Sequence, residues 1–420
     1  MENKYAVYEE ALAEELIPAM GCTEPIAIAY CAAVCREQLG CFPEQVEIWV
    51  SRNIIKNVKS VVVPNTNQMK GIEVACAAGL VAAHPERQLE VLAYIDGREK
   101  EAIKRLAESG TIKIHVSEEP DIFYIRVFVA GGGQNAEVTI RTDHTNITSI
   151  KKNGATVLEK PIVPETAATA QSVWTIEDVL DAARNMPLDN ALPLLKRQIE
   201  YNMAISEEGL ARDYGASIGK ILLQRDPESL RTRARATAAA GSDARMNGCE
   251  LPVVIVSGSG NQGITASVPV VVYARALGVS EEKLYRAVLL SDLVTIYLKQ
   301  GIGKLSAYCG AVSAGCGSGA GVAYLHDMTD EQIEHTVENA LAINSGIICD
   351  GAKSSCAAKI AMAVEGGLLG FDMSMAQRNF AGGDGIVQET ADETIAAVGK
   401  IASQGMVETD KEIIDVMLGL

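Results

Sequence analysis

The stretch PIVPETAATAQSVWTIED (residues 161–178) separates two parts of the chain that differ in their pattern of apolar and polar residues. Before it, segments of alternating apolar and polar residues predict β-strands, and after it helical periodicity dominates. Its prolines and its Ala/Thr run predict a linker over residues 161–174. Thr175, followed by Glu177 and Asp178, is typical of a helix start. The sequence therefore predicts two domains, residues 1–160 and residues 175–420.

The N-terminal part is predicted to be an α+β domain with a mostly antiparallel sheet, and the C-terminal part to be all-α. In the first part, helical patterns cover residues 5–20, 24–39 and 71–83. Strand patterns cover residues 46–50, 60–64, 89–95, 111–116, 122–130, 137–141, 146–151 and 156–159. No comparable run of alternating strands follows residue 175.

Composition excludes several functional classes. The chain of 420 residues carries a net charge of −17, which argues against nucleic-acid binding because phosphate contacts need clustered Lys and Arg. No stretch of 18 consecutive apolar residues predicts a membrane span, and the N-terminus lacks the apolar core of a signal peptide. We therefore expect a cytoplasmic protein. Abundant Gly and Ala favour closely packed helices, and a homodimer is the expected assembly.

The segment Ser257–Gly263 contains a literal G-x-G-x-x-G after the strand-like residues 251–256. A dinucleotide site requires a complete βαβ unit, and Pro269 interrupts the segment that should be its helix. No NAD site is therefore expected. The sequence instead predicts a polar loop in which Ser259, Asn261 and Gln262 bind a small anionic ligand.

Two further polar segments are candidates for binding or catalysis. Lys56 and Asn57 follow a predicted strand, and His144 lies in the polar run Asp143–Asn146. A lysine could carry pyridoxal phosphate (PLP), but nothing near Lys56 forms a phosphate cradle, so this cofactor is not expected. The pair Asp243 and Arg245 could bind a carboxylate or orient a loop, and the sequence leaves both open.

Four of the ten cysteines have small or polar neighbours, which let an inorganic group approach the backbone. These are Cys22, Cys309, Cys349 and Cys356. Their spacing differs from that of ferredoxins and zinc knuckles, so an iron–sulfur site assembled from distant segments is predicted in place of an electron carrier. The remaining cysteines are predicted to be packing residues, including Cys31, Cys35, Cys41, Cys76, Cys249 and Cys316.

At this point the chain resembles the L-cysteine desulfidase family, whose helical half is related to the α domain of iron–sulfur L-serine dehydratases. The matching motifs are GCTEPIAIA (21–29), SRNIIKN (51–57), VPNT (63–66), DHTNI (143–147), SDARMNG (242–248), SGSGNQGI (257–264), LSAYCGA (305–311) and ICDGAKSSCAAK (348–359). They run through most of the chain in the family's order and spacing. Serine dehydratases of this type carry a C-terminal cysteine, whereas this chain ends VMLGL (416–420).

The resemblance implies a [4Fe-4S] cluster and the conversion of L-cysteine to pyruvate, ammonia and hydrogen sulfide. It implies Cys309, Cys349 and Cys356 as cluster ligands, with Cys22 either a fourth ligand or an acid/base thiol. The reaction expected is a β-elimination in which an open iron binds the substrate sulfur and Cys22 or His144 removes the Cα proton. Side chains predicted to hold the substrate are those of Lys56, Asn57, Thr145, Asn146, Ser259, Asn261 and Gln262.

Three alternatives stay open at the level of the sequence. The nearest is dehydration of L-serine on the same scaffold, with iron binding a hydroxyl group. A non-catalytic iron–sulfur sensor or sulfur carrier would bind iron without releasing sulfide. A pyridoxal phosphate lyase would depend on one lysine.

Overall fold

A six-stranded sheet with flanking helices forms the N-terminal region, and helices form the C-terminal region, as predicted. The structure is a computed structural model that describes residues 4–162, 174–303 and 305–419. The predicted linker falls outside these residues from 163 to 173, so the domain division remains a prediction.

The sheet has the strand order β3-β2-β4-β5-β6-β7, in which β2 and β3 are parallel and the other neighbours antiparallel. The α2 helix packs on one face of this sheet. There Cys31 and Cys35 are buried, and their thiols donate to carbonyls of β4 and β5. The N-terminal elements are α1 (Ala6–Glu15), β1 (Pro18–Met20), α2 (Thr23–Leu39), β2 (Gln45–Val50), α3 (Arg52–Val58), α4 (Ile72–Ala82), α5 (Gly97–Glu108), β3 (Ile112–Val116), β4 (Tyr124–Gly131), β5 (Gln134–Arg141), β6 (Ile147–Lys152) and β7 (Ala155–Glu159).

Close approach of glycine-rich helices organises the C-terminal region. A Cβ atom on Gly315 of α12 would lie 2.3 Å from the Ala363 carbonyl oxygen of α14, and one on Gly317 would lie 2.4 Å from the Ser291 oxygen of α11. Only glycine permits these contacts. The elements are α6 (Ile176–Asn185), α7 (Leu192–Ala211), α8 (Ile218–Arg225), α9 (Leu230–Met246), β8 (Pro252–Val254), α10 (Gly260–Leu277), α11 (Glu281–Ile302), α12 (Gly310–Leu325), α13 (Asp330–Asn344), α14 (Cys356–Met375), α15 (Ala391–Lys400) and α16 (Val407–Leu418), with a π-helical turn at Ile401–Gly405.

The predicted helix over residues 5–20 is wrong at its C-terminal end. It stops at Glu15, and residues 18–20 form β1, which pairs antiparallel with β8 of the helical region. Pro18 explains the stop, because a proline disfavours helical backbone in the residue before it. The strand-like segment 251–256 contains β8 as expected, so this two-stranded ribbon joins the two regions.

Two predicted strands and one predicted helix break are also wrong. Residues 60–64 form only an isolated bridge between Val62 and Lys70, and residues 89–95 form the end of a 3₁₀ turn (Pro85–Glu90) and the turn after it. Leu89 and Leu92 are buried, and a short apolar run of this kind does not distinguish a strand from other buried segments. Pro269 lies inside the continuous helix α10, which is buried among its neighbours. Within the described residues, no helix is long and apolar enough to cross a membrane.

Candidate active site

A cavity of about 110 Å³ lies between the two regions, and we refer to it as the site cavity. It brings together ten of the twelve side chains that the sequence singled out. They are Cys22, Lys56, Asn57, His144, Ser259, Asn261, Gln262, Cys309, Cys349 and Cys356. Residues more than 300 positions apart in the chain therefore share one small volume.

Four helices begin at this cavity. Cys22 precedes α2, Ser259 precedes α10 and Cys309 precedes α12, while Cys356 is the first residue of α14. Each helix start presents unpaired backbone N–H groups and the positive end of the helix dipole. Together these starts make the cavity favourable for anions such as a carboxylate or a thiolate. The G-x-G-x-x-G segment thus belongs to a helix start on this cavity.

The thiol wall consists of Cys309, Cys349 and Cys356. An isolated bridge between Tyr308 and Ile348 places the first two side by side: the Cys349 N–H donates to the Ala307 carbonyl at 2.6 Å. The hydrogen bond between the two thiols raises the pKa of Cys309 and lowers the pKa of Cys349. The charge of Lys56 also lowers the pKa of Cys349. Burial raises the pKa of Cys356. Cys349 is therefore the member that ionises most readily.

The polar wall consists of Cys22, Glu24, Lys56, Asn57 and His144. At its centre, the buried Glu24 carboxylate accepts hydrogen bonds from the Cys22 thiol at 3.2 Å and from Asn57 Nδ2 at 3.0 Å. Burial, followed by the charge of Glu24, raises the pKa of Cys22 well above its ordinary value. Cys22 is therefore a neutral thiol that donates to a carboxylate.

Lys56 connects the polar wall to the C-terminal helix. Its buried ammonium group forms an ion pair with Asp410 of α16 at 2.5 Å. The loop that carries Cys349 rests on the same turn, because a Cβ atom on Gly351 would lie 2.2 Å from the Lys56 carbonyl oxygen. Gly351 also has a φ of +88°, which favours glycine. Helix α3 thus contacts the thiol loop directly and supports it.

His144 is almost fully buried, at 4 % exposure, and its Nε2 atom has no hydrogen-bond partner within the described residues. Its Nδ1 atom lies 3.6 Å from Asp143 Oδ1, and its ring meets the Phe123 ring edge-on. A carboxylate beside Nδ1 favours the tautomer in which that nitrogen carries the proton. Nε2 is then a free acceptor on the cavity.

Two predicted binding residues have a different location. Thr145 and Asn146 do not line the site cavity; they line a neighbouring one. The Asn146 side chain donates to the Arg141 carbonyl and to Thr142, so it supports the loop that carries His144.

Sequence reasoning missed three charged residues of the cavity, Glu24, Lys299 and Lys359, and left a fourth, Arg245, open. The GCTEP motif contains Glu24 without indicating a role for it, and Lys299 ends a long apolar run of α11. The pKa of Lys299 is lowered to about 8, because burial lowers it. The charges of Cys349, Cys309 and Glu15 raise it but do not offset the effect of burial. Arg245 lines the cavity, whereas Asp243 accepts from the Gly219 N–H, so the two do not act as a pair.

Comparison with known proteins identifies the family of this chain. The family model described as serine dehydratase alpha chain matches residues 86–415. The chain belongs to the serine dehydratase alpha chain family. Membership indicates a lyase-type enzyme of a family associated with iron–sulfur clusters. All three residues of the thiol wall lie inside the matched range.

Whole-length relatives extend the comparison to the N-terminal segment. A UPF0597 protein of Desulfitobacterium hafniense is 49% identical over 99% of this chain and 97% of its own. Proteins of the same name from Lachnoclostridium phytofermentans and Treponema denticola are each 46% identical, over 97% and 99% of this chain and 98% and 99% of theirs. The N-terminal segment that carries Cys22, Glu24, Lys56 and Asn57 is therefore part of the shared architecture.

Proposed function

We propose that this protein is an L-cysteine desulfidase that converts L-cysteine to pyruvate, ammonia and hydrogen sulfide. The observation that carries the proposal is that three thiols and a hydrogen-bonded Cys22–Glu24–Asn57 group line one cavity of about 110 Å³. Such a volume suits a small amino acid.

The thiol wall has the donor chemistry expected for an iron–sulfur cluster. Cys309, Cys349 and Cys356 would hold it, and they act electrostatically on one another. The described residues include no group of three His, Cys, Asp or Glu side chains arranged for a single metal ion, so the fit rests on the three thiols and the cavity beside them. When bound through three thiolates, a [4Fe-4S] cluster supplies one iron without a protein ligand as a Lewis acid for the departing sulfur.

Unpartnered polar atoms provide the contacts for the substrate backbone. Within the described residues, the buried Asn261 Oδ1 and Gln262 Oε1 atoms have no hydrogen-bond partner, and both residues line the cavity. Carbonyl oxygens of this kind would accept hydrogen bonds from the substrate ammonium group. Lys299 and the N–H groups at the start of α10 would bind the α-carboxylate.

His144 is the group best placed to remove the Cα proton, because its Nε2 atom is a buried acceptor without a partner in the described structure. The second candidate from the sequence, Cys22, is held neutral and already donates to Glu24, which suits a proton donor. Loss of the Cα proton and of the β-sulfur leaves aminoacrylate, which hydrolyses to pyruvate and ammonia. The proton on Cys22 would be available to the departing sulfide.

A second candidate function is dehydration of L-serine, which the family match favours directly. The segment before residue 86, which precedes that match, favours L-cysteine as the substrate. The GCTEP and VPNT motifs lie before residue 86, and Cys22, Glu24, Lys56 and Asn57 are cavity residues from this segment. These side chains face the same cavity as the thiol wall, where they would distinguish the two substrates.

The test is to measure sulfide and pyruvate release from L-cysteine by anaerobically purified, iron-reconstituted protein, with L-serine in parallel. Equal amounts of sulfide and pyruvate, lost after exposure to air, are expected. Pyruvate from serine alone would assign the protein as a dehydratase. A bound cluster with no product from either amino acid would favour a sensor or sulfur carrier.

A further inference from the structure

A second cavity of about 550 Å³ lies next to the site cavity and has no role in the chemistry described above. Its lining comes from the end of α1 and the residues after it, from the loop that carries His144, and from the segment that follows β8, which contributes Ile255 and Gly258. This volume is several times that of the site cavity.

His144 and Gly258 line both cavities and form the wall between them. A Cβ atom on Gly258 would lie 3.3 Å from His144 Cε1, and Gly258 has a φ of +76°. The absence of a side chain there allows the imidazole ring to lie against the loop. His144 is buried, and within the described residues its Nε2 atom has no hydrogen-bond partner, so a residue shared by the two cavities carries an unpartnered acceptor.

The second cavity is predominantly acidic. Glu14, Glu15 and Asp143 contribute carboxylates, and Lys160 contributes one ammonium group. Glu15 also acts on the site cavity, since its charge opposes the effect of burial on Lys299. A concave surface lined by one sign of charge concentrates ligands of the opposite sign. The field therefore favours a cation or the ammonium end of an amino acid.

We propose that the second cavity is the passage through which an ammonium-bearing amino acid reaches the site cavity, with His144 and Gly258 as the partition. Only the identity of the amino acid rests on the proposed desulfidase function. The passage accounts for three features of the second cavity together: its larger volume, the two residues that it shares with the site cavity and its acidic lining. It also assigns Glu14 and Glu15 a selective role outside the chemistry.

Thiol labelling tests the passage without requiring turnover. The apoprotein is treated anaerobically with a cationic reagent, 2-aminoethyl methanethiosulfonate, or an anionic one, 2-sulfonatoethyl methanethiosulfonate. Labelling of Cys349 is followed by mass spectrometry, because this thiol lines the site cavity and does not line the second cavity. Cys41 is only partly buried and does not line either cavity, so it reports the reagent's general reactivity.

We expect Ile17→Trp, which narrows the second cavity, to slow labelling of Cys349 by both reagents at least roughly 5-fold while Cys41 is unaffected. Glu14→Gln and Glu15→Gln should each lower the cation-to-anion rate ratio at Cys349 about 2- to 3-fold. Glu10→Gln is the matched control on the exposed side of α1. Unchanged Cys349 labelling in Ile17→Trp, or an unchanged ratio in both glutamate variants, would overturn the passage. The labelling rates do not depend on turnover, so they would test the passage even if the protein had no lyase activity.

Discussion

The two walls of the site cavity differ in the chemistry they offer. The thiol wall presents three cysteines from loops that begin helices α12 and α14, while the polar wall presents a carboxylate, an amide, an ammonium group, a neutral thiol and an imidazole. The thiol wall lies inside the serine dehydratase match, and most of the polar wall precedes it. Under the proposed function, the thiol wall would hold the cofactor and the polar wall would move protons, although the proposed base, His144, lies inside the matched range with the three thiols.

The largest effect is expected from breaking the thiol wall. Cys349→Ala removes its most readily ionised thiol, so we predict loss of bound iron together with activity. The loss should exceed the roughly 10- to 100-fold effect of removing an outer-shell partner. Iron analysis and visible absorbance after reconstitution measure it. Cys316→Ala, in a buried cysteine of α12 that does not line the cavity, is the control and should retain iron.

A substitution of His144 should impair the polar wall without affecting the thiol wall. His144→Asn removes the proposed base, and the rate of pyruvate formation should fall roughly 100- to 10,000-fold, the usual contribution of a general base. Bound iron should remain at the wild-type level. His115→Asn on the sheet, away from the cavity, is the matched control. Loss of iron in His144→Asn would contradict the separation.

Glu24 should have a smaller effect, because it acts through its neighbours. Glu24→Gln replaces the charged acceptor of the Cys22 and Asn57 hydrogen bonds, and we predict about a 10- to 100-fold decrease in kcat. Glu37→Gln, on the exposed side of the same helix, should leave kcat unchanged. Equal kcat values in Glu24→Gln and Glu37→Gln would show that Glu24 does not contribute to the function of the polar wall.

The last expected effect is on stability and comes from Asp292, which lies on α11, the helix that carries Lys299. Burial raises the pKa of Asp292 to about 8, and Gln198 donates to it at 2.8 Å. The folded state therefore keeps a proton that the unfolded chain releases above about pH 4, so stability falls as the pH rises from about 4 to 8. Urea unfolding should show a decrease of at most about 4 kcal/mol between pH 5 and pH 8 in the wild type.

Asp292→Asn should flatten that pH dependence, because the group no longer titrates. Asp189→Asn, an exposed aspartate, is the control and should keep the wild-type slope. An identical slope in Asp292→Asn and the wild type would show that Asp292 is not the buried acid responsible.

Much of this arrangement can be predicted from local sequence. Alternating patterns predict the strands of the six-stranded sheet, and small or polar neighbours are found at the four cavity cysteines, although the buried Cys316 has small neighbours as well. Both signals are local, since they depend on the residues immediately around each position.

What sequence reasoning missed depends on long-range contacts. The pairing of β1 with β8 joins residues more than 230 positions apart, and Glu24 gains its role only when Asn57 comes within 3.0 Å. Lys299 follows an apolar run of α11 and gives no local sign that it borders a cavity. Tertiary packing decides each of these positions.

The division between the walls is tested most directly by ⁵⁷Fe Mössbauer spectra of the reconstituted wild-type and His144→Asn proteins, recorded with and without L-cysteine. We expect L-cysteine to change the signal of one iron per cluster in the variant as in the wild type, while the variant forms pyruvate at a small fraction of the wild-type rate. A spectrum that L-cysteine leaves unchanged in the wild type, or a substrate-dependent change that is lost in His144→Asn, would contradict this division.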